Sequence, residues 1–523
     1  MSKLTKRALL VLGILNVALF SLSHIPLNKA RAVGTTLTVN STNDGQDANA
    51  GDGICETSTP NECTLRAAIE ESNANTGNDT IEFNISGGGV KTIAPSSAYP
   101  DLTDTVTIDG YTQPGAQENT AVAPAPLNGT ILIEIDGRGV NGGARNFHIQ
   151  ASDTTIKGLS VFGFANAGND QTNANIYVEA ADAKITGNYV GIRADGTTAA
   201  PGDNQRSVLC SGQSTTGVDI GGTNPADRNL LFAISASNNG AALTLACSSS
   251  YSYGNIIGLT KDGATDFSPE QADANQLNGP FTIGIQVLGS GNQIGGSGSG
   301  MQNVISGNMV NVTINAGGNF VQGNLIGTNY QGTILEGITN GVGISSVTGE
   351  WNLIGGTNAG EGNTIAGVKG AGLMILEYEL QQMNVTLPTP RMSVLGNRIY
   401  DIGTFNFSGF GTANLGIDLA KSIDTSDPSD YLPDVVEKRG PNTIDQGDAD
   451  TGANDLLNAP LLQKASQSGN QLTVTYDLDV AGSEDPPNEY RVEFYANSEA
   501  SIFGAGPGET FVGAVDNVTP GTN

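Results

Sequence analysis

Gly187-Asn188-Tyr189-Val190-Gly191 returns as Gly254-Asn255-Ile256-Ile257-Gly258, as Gly323-Asn324-Leu325-Ile326-Gly327 and, with its end altered, as Gly396-Asn397-Arg398-Ile399. The leading glycines lie 67, 69 and 73 residues apart. The first three copies run on alike, as IRADGT, LTKDGAT and TNYQGT. A second motif interleaves with the first: Ile220-Gly221-Gly222, Ile294-Gly295-Gly296 and Ile354-Gly355-Gly356. Eight residues after the first Gly of each comes an Asn, at Asn229, Asn303 and Asn363. An apolar pair or near-pair follows: Leu230-Leu231, Val304-Ile305, Thr364-Ile365. An offset held three times marks a structural repeat, and a repeat dictates the architecture before any local propensity is weighed.

The apolar runs inside the repeats are short and β-branched: VTI, ILIEI, TIKGLSVFG, FTIGIQV, NVTI. Gly, Asn, Ser and Asp punctuate them. Short alternating runs bounded by turn residues are strands. Each run is too short for a hairpin array, and a parallel β-helix leaves strand edges open only at its two ends. Asn and Gly suit its tight bends because both tolerate left-handed backbone. Asn188, Asn255, Asn324 and Asn397, with Asn229, Asn303 and Asn363, are therefore read as turn or ladder residues, bonding coil to coil. With coils of roughly 20–25 residues, each period is expected to hold about three coils, and residues 79–420 about fifteen.

The two ends differ from the body. Met1–Arg7 is basic, Ala8–Phe20 is apolar and Ala30-Arg31-Ala32 is a small-residue cleavage site, the layout of a secretory signal peptide over residues 1–32. The apolar run is too short to span a bilayer, so no membrane span is expected in the mature chain. Four cysteines fit an exported protein in an oxidising compartment. Of the three possible connectivities, the local pairs Cys55–Cys63 and Cys210–Cys247 are expected. Residues 33–78 read as an N-terminal cap. Thr64 can N-cap a helix, with Leu65, Ala68, Ile69 and Ser72 on one face to cover the first coil.

The stretch Asp52-Gly53-Ile54-Cys55 … Cys63-Thr64-Leu65-Arg66-Ala67-Ala68-Ile69-Glu70-Glu71-Ser72-Asn73 resembles the CSLREA domain, with Thr64 and Ala67 in place of its Ser and Glu. The run Thr107-Ile108-Asp109-Gly110-Tyr111-Thr112-Gln113-Pro114-Gly115 and the two repeat motifs are similar to those proteins too. The resemblance implies a bacterial secreted or surface protein with a right-handed parallel β-helix of the pectate lyase type. It implies little about activity.

Beyond the repeats, residues 421–460 form an acidic segment expected to be a linker. Within it, Asp445, Asp448, Asp450, Asn454 and Asp455 carry side-chain oxygens at short spacing around Gly447 and Gly452, a pattern that suits calcium. The match to an EF-hand loop is incomplete: counting from Asp448, the twelfth position is Ala459 rather than Glu. Asp44, Asp47 and Asp52 are a weaker second candidate. Residues 461–523 alternate again and read as part of an immunoglobulin-like β-sandwich, short of the seven strands such a fold needs.

Charge and composition bear on function. The chain has 52 acidic against 23 basic residues, a net charge of −29. Residues 1–32 hold five of the basic ones, so without them the net charge is −34. Such a chain repels phosphate backbones, and nucleic acid is excluded as a partner. Extracellular polysaccharide or a surface protein remains. Among residues that catalysis would use, His148 has no glycine beside it, and only Arg193 and Lys261 recur at equivalent repeat positions. Aromatic residues are 6% of the chain and scattered along it, with Trp351 the only Trp. The expectation is an all-β rod at the bacterial cell surface with a structural or adhesive role and no catalytic residues. The alternative is a calcium-assisted polysaccharide lyase or a glycoside hydrolase.

Overall fold

The computed structural model describes residues 34–140, 147–164, 173–201, 205–233, 240–267, 282–336, 338, 340–380, 385–386, 391–403, 406–407, 410–411, 415–424, 444–448, 452–480, 490–498, 506–519 and 521–522. The expected signal peptide, residues 1–32, and the calcium candidate Asp450 lie outside them. Short β-branched runs stack in register into three long sheets, which wind as a right-handed parallel β-helix. Sheet A has eleven strands, from Thr36–Val39 to Arg391–Leu395. Sheets B and C have ten each. From Phe147–Ile149 onward the chain visits C, A and B in turn; before it, strands are laid on A and B only.

The alternation of side chains along a strand explains why so few apolar residues suffice. In sheet A the rows Ile108, Ile156, Ile185 and Ile294, Val321, Ile354 point inward and are fully buried. Sheets B and C supply Val161, Val190, Leu231 and Val178, Leu243, Ile285 to the same core. Sheet B is buried on its outer face as well. Tyr189, Leu230, Ile256, Val304 and Leu325 form its outward row and join a second apolar cluster. Burial on both faces is why these strands read as apolar pairs without alternation.

The period proves to be two coils, not three. Both motifs are the same corner, where the chain turns from sheet A to sheet B, in two forms. The tight form passes straight from strand to Gly-Asn, as at Gly187-Asn188. The wide form inserts a short excursion between Gly221 and Asn229. Tight and wide corners alternate from Gly187 to Asn397. Residues 79–420 accordingly hold about ten coils rather than fifteen, longer than the usual repeat because loops leave the rod between sheets. One such loop, Gln113–Thr130, lies along the rod as a strap: Asn119 Nδ2 donates to Pro225 O at 2.6 Å and Leu127 N to Lys261 O at 2.7 Å.

Both ends are covered. The helix Leu65–Ala74 is capped by Thr64, whose hydroxyl accepts from Ala67 N at 3.1 Å. Its buried residues include the expected face and also Arg66, Ala67 and Glu71. Thr36–Val39 already belongs to sheet A and pairs with Asp79–Phe83, so the helix is inserted between the first two strands rather than preceding the coils. At the other end the strand Ile417–Asp424 still pairs within sheet C, past the expected boundary at 420. The strands Leu461–Ser468, Gln471–Leu478, Tyr490–Ala496 and Thr510–Val518 make two small antiparallel sheets around Tyr476, Leu478, Val492 and Val518. This partial sandwich closes the last coil: Ile399 N donates to Gly508 O at 2.9 Å and Gly396 N to Glu493 Oε2 at 2.8 Å.

Candidate functional site

The recurrent asparagines form one ladder. In the order Asn188, Asn229, Asn255, Asn303, Asn324, Asn363, Asn397, each Oδ1 after the first accepts the backbone N–H of the Asn one coil before, at 2.9–3.4 Å. Each Nδ2 reaches a backbone carbonyl, as Asn255 does to Ile220 O at 2.9 Å. All seven are at most 4% exposed. A second ladder, Ser250, Asn292, Asn319, Asn352, runs at the corner between sheets C and A. Both disulfides are formed, Cys55–Cys63 in the cap and Cys210–Cys247 between neighbouring strands of sheet C.

The charged residues singled out in the sequence are engaged in the fold. Arg193 pairs with Glu134 at 3.0 Å and lies over the Phe162 ring. Beside them, burial alone would raise the Asp136 carboxyl, but its bonds to Arg138 and the field of Arg138 and Arg193 hold it below the usual carboxylate range. Lys261 packs across Gly196 of the hairpin two coils earlier, its backbone N–H bonded to Gly196 O at 2.9 Å. His148 is 5% exposed and stacks on Tyr177 with ring centroids 4.8 Å apart. Its Nδ1 lies 2.9 Å from Asp101 Oδ1 and its Nε2 2.5 Å from Glu179 Oε2, a clasp on sheet C.

The acidic loop is split between two tasks. Asn454 Oδ1 accepts from Met392 N at 2.8 Å and Asp455 pairs with Arg391 at 3.0 Å, both on the final strand of sheet A. Asp445 and Asp448 instead hold Asn458. Among the described residues no three His, Cys, Asp or Glu side chains gather closely enough to hold a metal ion. In the cap, Asp44 forms a bidentate pair with Arg66, and Asp47 and Asp52 order the loop backbone.

An accessible constellation lies on the outer face of sheet A, where coil stacking gathers residues far apart in sequence. The outward row runs Lys184, Asp219, Tyr251, Gln293, Phe320, Leu353, Ser393 in unbroken register. Tyr251 is 37%, Phe320 41% and Trp351 74% exposed, and Leu288, 42% exposed, stands at the adjoining corner. These four come one from each of four consecutive coils. With strands about 4.8 Å apart, Tyr251 and Phe320 stand about 10 Å apart in the row with Gln293 between them, and Trp351 lies two residues before Leu353 at a bulge with φ +65°, so the four make an interrupted stripe of exposed apolar residues. Tyr253 flanks it, its ring 5.6 Å from that of Tyr251. Burial pushes the Tyr253 hydroxyl up to about 12, with Tyr251 and Asp219 adding to the shift, so it stays a neutral donor. Burial likewise raises the Asp219 carboxyl, against the pull of Lys184. The sequence reading missed this stripe because its members are scattered along the chain; the pairing register that sets Tyr251 and Phe320 in one outward row is the signal that finds it.

Fold and surface together define a parallel β-helix covered at both ends, with exposed apolar residues on the outer face of sheet A. The Dettilon tailspike protein is 12% identical over 88% of this chain and 86% of its own, with a TM-score of 0.29. The pectate lyase Pel9A is 11% identical over 92% of this chain and 98% of its own, with a TM-score of 0.26. The enzymatically active domain of tailspike protein 2 of bacteriophage CBA120 is 10% identical over 89% of this chain and 56% of its own, with a TM-score of 0.24. No protein-family model, the CSLREA domain included, matches the chain, and no curated protein matches it. No helix among the described residues is long and apolar enough to cross a membrane.

Proposed function

We propose that this protein is a non-catalytic adhesive rod of the bacterial cell exterior and that it binds neutral polysaccharide along sheet A. The observation that carries the reading is the exposed stripe Tyr251, Leu288, Phe320, Trp351. Exposed apolar patches rimmed by polar groups mark interaction surfaces. The C–H face of a sugar ring is attracted to the electron-rich face of an aromatic ring, while Gln293, Tyr253 and Asp219 offer hydrogen bonds to hydroxyls. Net charge selects among glycans: with 52 acidic residues against 23 basic, the rod repels uronate polymers and leaves neutral chains as partners. Two disulfides suit an oxidising exterior.

The test is binding of the full chain to a panel of neutral and anionic polysaccharides by affinity electrophoresis, with reducing-end and ultraviolet product assays in parallel. Retardation by a neutral glycan without turnover is expected. Trp351→Ala and Phe320→Ala should each weaken it about tenfold, the effect of losing one aromatic contact. Ile334→Ala, at an exposed apolar residue away from the stripe, should not. Turnover of any substrate, or binding unchanged in the stripe variants, would refute the reading.

A further inference from the structure

The outward row of sheet A keeps time with the corners. Lys184, Tyr251, Phe320 and Ser393 each stand three residues before the Gly of a tight corner, at Gly187, Gly254, Gly323 and Gly396, and all four are exposed. Asp219, Gln293 and Leu353 each stand two residues before the first Gly of a wide corner, at Gly221, Gly295 and Gly355, and all three are half-buried. The pairing register interleaves the two sets, so exposed and half-buried positions alternate coil by coil from Lys184 to Ser393. Tyr251 and Phe320 are the aromatic members of the exposed set. They stand one period of the fold apart, which is two strand spacings or about 10 Å along the rod. Gln293 lies between them with an amide that both donates and accepts.

That interval discriminates among neutral glycans. In a β-1,4-linked hexopyranose chain each ring is turned over relative to the last. Every second ring therefore presents the same face, and a disaccharide is close in length to two strand spacings. Such a chain, laid along the rod, stacks one ring on Tyr251 and the next but one on Phe320, with the ring between them over Gln293. An α-1,4-linked chain coils and a β-1,3-linked chain bends, so neither keeps step with a straight row. We propose, resting on the glycan-binding reading of the stripe, that this row binds a β-1,4-linked neutral glycan parallel to the rod axis, one sugar ring per coil. Tyr251 and Phe320 are its alternate stacking sites. Ser393 is the next exposed position of the same series and carries no ring.

The experiment is calorimetric titration of the full chain with cellohexaose and mannohexaose, both β-1,4-linked, and with maltohexaose and laminarihexaose, which are α-1,4- and β-1,3-linked. The first two should bind at least about tenfold more tightly than the last two. Cellotriose covers Tyr251 and Phe320 together and cellobiose does not, so cellotriose should bind about tenfold more tightly. Phe320→Ala should erase that difference. Ser393→Tyr should tighten cellohexaose binding about tenfold and leave cellotriose within about twofold, because only a chain that covers every coil from Tyr251 to Ser393 gains the added contact. Equal affinity for all four hexasaccharides, no difference between cellotriose and cellobiose, or a Ser393→Tyr gain as large with cellotriose would overturn the linkage assignment and leave the glycan reading standing. Failure of every neutral glycan to bind would overturn that reading and this assignment with it.

Discussion

At the scale of the residue, Asn255 does the work of several backbone bonds. Its Oδ1 accepts from Asn229 N at 3.1 Å, and its Nδ2 donates to Ile220 O at 2.9 Å. Asn255→Ala leaves both groups buried and unpaired, so a loss of about 2–4 kcal/mol is expected in guanidinium unfolding. Asn255→Asp keeps the acceptor but cannot donate, and places a charge in the core; it should be no milder than alanine. Gly221 faces the same corner with φ +83°, and an added Cβ would lie 2.2 Å from Tyr253 O. Gly221→Ala is therefore expected to lower the Tm by several degrees, read by circular dichroism. The first ladder was legible because its members keep fixed offsets from a Gly. The second was not, since its members are separated by 42, 27 and 33 residues and begin with a Ser.

At the scale of the element, the hairpins that follow the tight corners explain IRADGT and LTKDGAT. Asp262 accepts from Thr260 Oγ1 and Thr265 Oγ1 at 2.6 Å and from Ala264 N and Thr265 N at 2.9 Å. Asp195 does the same for Thr197 and Thr198. Burial alone would raise both carboxyls, but these bonds hold them below the usual range. A depressed folded pKa means that the stabilisation is complete above the unfolded value, about 3.9, and is lost as pH falls through the folded one. Acid unfolding below pH 4 should be shallower in Asp195→Asn/Asp262→Asn than in the wild type, measured as Tm against pH. The cap offers a sharper case: Arg66→Leu strands the Asp44 carboxylate, and a loss of about 3–5 kcal/mol is expected in guanidinium unfolding. Helix, cap and corner asparagines could all be read from local chemistry. The number of coils per period could not, because the wide corner was not recognisable as a variant of the tight one until Asn188, Asn229 and Asn255 were seen on successive coils.

At the scale of the whole molecule, the stack is only as secure as its ends and its cross-links. Removing residues 461–523 uncovers the backbone of Gly396 and Ile399, which the sandwich now satisfies. Open strand edges recruit other chains, so the truncated protein is expected to self-associate in size-exclusion chromatography. Cys210 and Cys247 join neighbouring coils inside the core across a separation of 37 residues; replacing both with Ala should cost about 2–4 kcal/mol in guanidinium unfolding. The stripe on sheet A exists only at this scale, which is why Tyr251 and Trp351 carried no meaning as isolated letters. The alternation of tight and wide corners also governs how such a molecule can change length. Duplicating a single coil would place two like corners side by side and break the nesting of Lys261 over Gly196. Duplicating a pair leaves every neighbour as it was, so related rods should differ in length by whole steps of roughly 10 Å, like marks on a ruler.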